Sequence, residues 1–257
     1  ADHGTIYGGR GLVFDGVTDY LSGTIGEEYS SLENFSLSVW TTVDTISDWR
    51  RVLILNSTSA TVRFGIKGTG KMTFMPNTAT GDINFTGTAL STTGGWYHHV
   101  VTFDKATTTV KHYLNGALDY TKTDCTDTAI DAAGTYNVGS FNGASLFWDG
   151  KISDLKLFDA TLTEAQAQEL YLKPEQSAPS AVRDNIFLWL PMCEGNPDSP
   201  QSIVYDHSEK KLGSELVSGG DMSSLADAGS SGYAFIPSSN WTYKYSGGSN
   251  GSSTQYS

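Results

Sequence analysis

The chain has 257 residues, a formal net charge of −12 and 17% charged residues. That acidity argues against nucleic acid or an anionic membrane as a partner, because either calls for a basic patch. No apolar run approaches the ~20 residues that span a bilayer, and 28 glycines with abundant Ser and Thr point to an all-β chain rich in turns.

In chain order, Gly11 to Phe14 reads as a short strand and Asp15-Gly16-Val17-Thr18-Asp19 as a turn. Phe35, Leu37 and Val39 alternate with Ser36 and Ser38, a half-buried strand ending near Trp40. Val52 to Leu55 is apolar on both faces and reads as interior, and Val62, Phe64 and Ile66 form a one-face strand. Gly94 to Gly116 is the strongest unit: two strands broken at Asp104 to Thr107, then the Asn115-Gly116 pair that a type I′ turn demands. Tyr136 to Ser140 and Trp148 to Leu157 supply later strands. Thr163 with Gln166 three residues on is a capping box. Ala167, Leu170 and Tyr171 then form a helical stripe that Pro174 stops. Residues 175–185 read as a linker, Ile186 to Pro191 as a strongly apolar strand, and the remainder as Gly/Ser-rich with scattered aromatics such as Tyr233, Phe235 and Tyr243. Cys125 and Cys193 define neither a disulfide framework nor a zinc site and read as free thiols.

These pieces carry a resemblance. LVFDGVTDYL, FSLSVWTTVD, GGWYHHVVTFDKATTTVKHYLNG and WDGKISDLKLFDATLTEAQAQELY come in the order and form of a concanavalin A-like lectin/glucanase domain. The type is the laminin G-like one common in bacterial and phage proteins. The resemblance implies an all-β antiparallel jelly-roll β-sandwich with one short capping helix, over residues 1–174. A C-terminal β-rich or irregular extension, 186–257, either completes the fold or begins a second β unit. The segment LWLPMCEGNPDSPQSIVYDHS resembles one that usually precedes the opening strand in this family, and here it comes late. ELVSGGDMSS resembles the first strand of carbohydrate-binding jelly rolls, and Asp2-His3-Gly4-Thr5 a remnant of the usual leader. With Ala1 at its start, the chain reads as processed or as a piece of a larger modular protein.

Catalysis is not expected. The Glu-x-Asp-x-x-Glu of the related glucanases is absent, and Glu27-Glu28 is the only adjacent Glu pair. His98 and His99, neighbours on a strand, point to opposite faces and cannot share one ion, so with His112 they read as structural. The resemblance implies calcium as a cofactor at Asp15, Asp19 and Asp154, hard oxygen ligands at family positions rich in acid. Ser153 replaces the first acid of the usual Ile-Asp-Asp, and Asp15 and Asp19 equally suit the capping of a tight turn. For glycan stacking the candidates are Trp49 with Arg50 and Trp148 with Asp149, at loop edges where each Trp could instead plug a sandwich end. The expected function is a non-enzymatic adhesive or structural module of a phage virion, at the virion surface or otherwise extracellular. Its partners would be glycans or neighbouring virion proteins. The alternative is a carbohydrate-binding accessory domain of a secreted bacterial glycan-active enzyme.

Overall fold

The computed structural model describes residues 11–56, 61–77, 81–92, 95–174, 178–193 and 204–208, together with the backbone of three short C-terminal strands. The expectations on Asp2 to Thr5, on 194–203 and on 215–224 lie outside the described residues. The chain divides into one unit spanning Ala1–Lys211 and another spanning Leu212–Ser257.

The first unit is two packed antiparallel sheets. One contains β1 (Leu12–Asp15), β3 (Asn34–Thr41), β8 (Tyr97–Asp104), β9 (Thr109–Leu114), β10 (Ala117–Lys122), β12 (Asp149–Phe158) and β13 (Ile186–Leu190). Its order is β1-β12-β3-β8-β9-β10, and β13 also pairs with β12. The other contains β2 (Leu21–Ile25), β4 (Arg50–Asn56), β5 (Thr61–Ile66), β6 (Met72–Met75), β7 (Ile83–Asn84) and β11 (Gly134–Val138). Its order is β2-β11-β4-β5-β6-β7. The strict alternation of the strands sets the core: Phe35, Leu37 and Val39 face Leu53, Leu55, Phe64 and Phe74 across the gap. Phe35 and Phe74 stack across it with ring centroids 6.4 Å apart.

The two strands and turn read over Gly94 to Gly116 form as expected across the described residues. β8 and β9 pair from Asp104↔Thr109 to His99↔Leu114. Asn115 and Gly116 turn the chain with φ of 52° and 79°, which a type I′ turn requires. The Asn115 side chain adds a clamp, accepting a hydrogen bond from the His98 N–H at 2.9 Å.

β3 is more buried than its alternation implies. Ser36 and Ser38, on the side away from the core, are both buried, because a third layer covers the outward side of the seven-stranded sheet. That layer is α1 (Glu164–Leu172) and the chain that follows it. The helix starts as its sequence dictates: Thr163 Oγ1 accepts from the Gln166 N–H at 3.3 Å, and Gln166 Oε1 accepts from the Thr163 N–H at 2.8 Å. Its buried stripe, Ala167 and Leu170, joins Val100, Tyr113, Phe158, Val182 and Ile186 in a second apolar cluster. Ser36 is satisfied inside this layer, donating to the Ala160 carbonyl at 2.7 Å and accepting from the Leu162 N–H at 3.0 Å.

The expected linker is part of this layer. Ser180–Asn185 forms 3-10 turns, and Ala178 and Val182 are buried. Ile186–Leu190 then adds to the seven-stranded sheet beside Leu155–Phe158. Beyond it, Asp206 and His207 hydrogen-bond back to the Trp189 backbone. The second unit holds a three-stranded antiparallel sheet, β14 (Tyr233–Phe235), β15 (Thr242–Lys244) and β16 (Thr254–Tyr256). Cys125 and Cys193 do not form a disulfide.

Candidate functional site

The expected glycan residues gather at one end of the sandwich, where three loops meet. Arg50 ties them together. Its Nε donates to Ser47 Oγ at 2.8 Å, its Nη1 to the carbonyls of Phe147 at 2.6 Å and Gly16 at 3.4 Å, and its Nη2 lies 4.0 Å from Asp149 Oδ2. Asp149 in turn stands opposite Asp15 in the β1–β12 ladder. Trp148 does not fit a sugar-stacking role: it is 0% exposed, lies in the core and donates its Nε1–H to the Thr42 carbonyl at 3.1 Å. It plugs the sandwich end, because a ring this large is better buried once its one donor has found an acceptor. Trp49 is half-buried with φ of 60°, and its ring meets the Lys67 ammonium at 4.6 Å and the Arg51 guanidinium at 4.9 Å. Arg50 and Asp149 are thus brought together, with the polar atoms of Arg50 spent on the loops, while the Trp49 ring lies against Arg51 and Lys67 instead.

Asp15, Asp19 and Asp154 are not brought to one point. Asp15 organises its own turn: Oδ1 accepts from the N–H groups of Val17 at 2.8 Å, Thr18 at 2.7 Å and Asp19 at 3.0 Å, and Oδ2 from the Thr18 hydroxyl at 2.7 Å. These bonds, led by the Thr18 N–H, hold its carboxyl far below the usual carboxylate range. Asp19 Oδ2 accepts from the Asp15 N–H at 3.1 Å. Asp154 is buried five residues past Asp149 on β12, ion-paired with Lys156 and accepting from Trp189 Nε1–H at 2.9 Å. The three residues therefore do not fit one calcium ion: their oxygens are committed to local donors, and Asp154 has a buried cation already. Among the described residues no group of three or more His, Cys, Asp or Glu could hold a metal ion.

The histidines behave as structure. His98 lies under the helix layer, 2.9 Å from Ser38 Oγ, with its ring 4.9 Å from Trp40 and 6.1 Å from Tyr171. His99 and His112 point into the core instead and form a chain: Thr41 Oγ1 to His99 Nε2 at 3.2 Å, His99 Nδ1 to His112 Nε2 at 3.1 Å, His112 Nδ1 to Asp119 Oδ2 at 3.1 Å. Burial, then the Lys156 charge and His112, push His98 down to about 3. Burial, followed by the neighbouring histidines, lowers His99 well below the ordinary range. His112 is lowered by burial despite its bond to Asp119. Burial alone would raise Asp119, but bonds from His112 and Thr88 outweigh it and hold that carboxyl at about 2.

The site that sequence reading missed lies on the outward side of the six-stranded sheet. The helix layer covers the other sheet; here a groove of about 600 Å³ stays open, lined by Tyr20, Thr24, Asn56, Thr135, Asn137 and Asn142, with Ser22 and Gly23 in its floor. The ladders build it. β11 pairs with β2 through Asn137↔Ser22 and Thr135↔Thr24, and with β4 through Thr135↔Asn56. Ser22 and Thr24 of β2, Thr135 and Asn137 of β11 and Asn56 of β4 therefore present hydroxyls or amides outward. The loop after β11 supplies one wall: Asn142, at φ of 55°, accepts from Asn56 Nδ2–H at 2.5 Å. Gly143, at φ of 66°, lets that loop reach the Tyr20 ring, which a Cβ would meet at 2.7 Å. Tyr20 is 47% exposed. The groove thus offers an accessible aromatic ring, amides that both donate and accept, and hydroxyls.

Fold and sequence together define the class: the chain belongs to the concanavalin A-like lectin/glucanases superfamily, whose laminin G-type family model matches residues 15–168. No curated protein matches the sequence. Among solved structures, it is similar to a candidate carbohydrate binding protein from Bacteroides ovatus, with a TM-score of 0.56, 17% identity and coverage of 77% of this chain. The chain spans 56% of that protein. A sialidase of Trypanosoma rangeli gives a TM-score of 0.51 at 14% identity, over 65% of this chain and 28% of the enzyme. The binding domain of botulinum neurotoxin serotype G gives 0.50 at 16%, over 62% and 41% of the two chains. At these identities the likeness is one of fold.

Proposed function

We propose that this protein is a non-catalytic glycan-binding module that takes its ligand in the groove across β2, β11 and β4. The observation that carries this reading is the groove's lining: an exposed tyrosine face beside three asparagines and two threonines and, among the described residues, neither carboxylate nor cation. Sugar rings offer hydroxyls that donate and accept together with apolar C–H faces, and an amide-rich groove with one aromatic wall complements both. The described lining offers amides and hydroxyls for binding rather than the acid and nucleophile or base at fixed separation that hydrolysis needs. The similarity in fold to a candidate carbohydrate binding protein from Bacteroides ovatus points the same way.

A virion surface protein of a phage is the setting we favour, with a secreted enzyme's accessory domain as the second. A catalytic domain in the same polypeptide would decide for the latter. Calcium is not needed for a groove built this way, and adding or chelating it is expected to leave glycan affinity unchanged. The direct test is a glycan array followed by calorimetry. Asn137→Ala is expected to weaken the best binder roughly 2- to 10-fold, the worth of one or two hydrogen bonds. Turnover of any sugar, or an array with no binder, would end this reading.

A further inference from the structure

The groove does not exhaust the outward side of the six-stranded sheet. Ser22 pairs with Asn137, Asn137 with Ile54 and Ile54 with Arg63, so a single row of outward side chains runs from the groove to Arg63. Asn137 and Arg63 are two strand spacings apart, about 10 Å, within the span of a short oligosaccharide. Arg51 stands on the same side of the sheet, opposite Gly65 and diagonal to Arg63. Gly65 raises no side chain between them, since a Cβ there would lie 2.1 Å from the Arg50 carbonyl oxygen.

The two guanidinium groups feel each other: the Arg63 charge opposes that of Arg51, which burial already disfavours. Asp82 attracts Arg51 through space, but among the described residues neither arginine closes an ion pair within 4.0 Å. Nε and Nη1 of Arg51 and Nε of Arg63 are buried without a hydrogen-bond partner. Aromatic rings back both cations in place of acceptors: Trp49 lies 4.9 Å from the Arg51 guanidinium and Phe141 5.3 Å from that of Arg63. Arg51 is 3% exposed, whereas Arg63 is half-buried and meets solvent first. Buried donors without acceptors cost free energy, and a guanidinium fork matches the oxygens of a carboxylate or sulfate.

We infer that Arg63, backed by Arg51, forms an oxyanion subsite beside the groove, and that the glycan bound there carries a carboxylate or a sulfate group. This rests on the glycan-binding reading above and specifies its ligand. The amide groove would hold a neutral ring and Arg63 the charged substituent. Because the molecule as a whole carries a net charge of −12, long-range attraction does not favour such a ligand; its selectivity comes from short-range contact with these two residues.

The test is an array of matched pairs, such as 3′-sialyllactose with lactose for the carboxylate and 6-sulfo-N-acetyllactosamine with N-acetyllactosamine for the sulfate, repeated with Arg63→Gln and Arg63→Lys. Acidic members are expected to bind roughly tenfold more tightly than their neutral twins. Arg63→Gln should erase that preference while leaving neutral binding within about twofold, and Arg63→Lys should keep part of it. The pair that responds identifies the source of the oxyanion. Neutral members that bind as tightly as acidic ones, or a preference that survives Arg63→Gln, overturn the subsite and leave glycan binding standing. An array without any binder removes both.

Discussion

The two outward sides of this sandwich are built from the same alternating strands and have opposite fates. On the seven-stranded sheet, Ser36, Ser38, His98 and Lys156 point away from the core and are nonetheless buried, because α1 and residues 178–190 close over them. Several of these polar groups have partners inside that layer. On the six-stranded sheet, Thr24, Asn56 and Thr135 point outward in the same way and stay accessible, and with the more deeply set Asn137 they line an open groove. Polar residues on the covered side fix how layers pack, whereas Tyr20, Thr24 and Thr135 on the open side are left to meet a ligand. A polar residue's position in the alternation therefore does not reveal its role; what covers the strand does.

Breaking the covered side should be the costliest change. Asp154→Ala strands the fully buried Lys156 ammonium without its carboxylate and should lower stability by about 3–5 kcal/mol. Denaturant unfolding measures this, and a loss below about 1 kcal/mol would mean that the pair is solvated after all.

Acid separates the two sides more finely. His98, His99 and His112 have folded-state values lowered by burial, so the unfolded chain takes up protons first. Stability is then full above the unfolded histidine value of about 6.5 and falls as pH drops below it, by up to about 1.4 kcal/mol per pH unit for each histidine. The loss continues towards about 3 for His98. The amides of Asn56, Asn137 and Asn142 and the hydroxyls of Thr24 and Thr135 carry no ionising proton in this window, so binding of an uncharged glycan should stay constant from pH 7 to 5.5 while the melting temperature falls. A melting temperature flat across that range would show that these histidines are not buried neutral. The smallest effect belongs to the helix start. Thr163→Ala removes one half of the capping box and should cost about 1 kcal/mol, without altering glycan binding on the opposite side of the sandwich.

What could be read from sequence was local. The Asn115-Gly116 turn and the Thr163–Gln166 capping box each join residues a few positions apart, and each formed as expected. Trp148 was ambiguous because its indole partner, the Thr42 carbonyl, is 106 positions away. Residues 178–185 have the composition of a linker, yet Ala178 and Val182 are buried by a sheet surface that their own sequence does not announce. The groove was the least legible feature. Ser22, Thr24, Asn56, Thr135 and Asn137 are ordinary outward residues on their own strands. They become a site only when β11 is laid between β2 and β4, an adjacency that no short stretch encodes. The outward amides on β4 and β11 were the one available signal, and it needed the strand order to be used.

The return of Ile186–Leu190 to β12 also dictates where the molecule can be cut. An excision ending at Pro174 would remove the partner of Leu155–Phe158 and expose their backbone N–H and C=O groups along an open sheet edge. Neighbouring copies would then compete to fill that edge, and the shortened protein should self-associate. A piece that keeps the chain through Ser208, where Asp206 and His207 bond back to Trp189, retains its own edge protector.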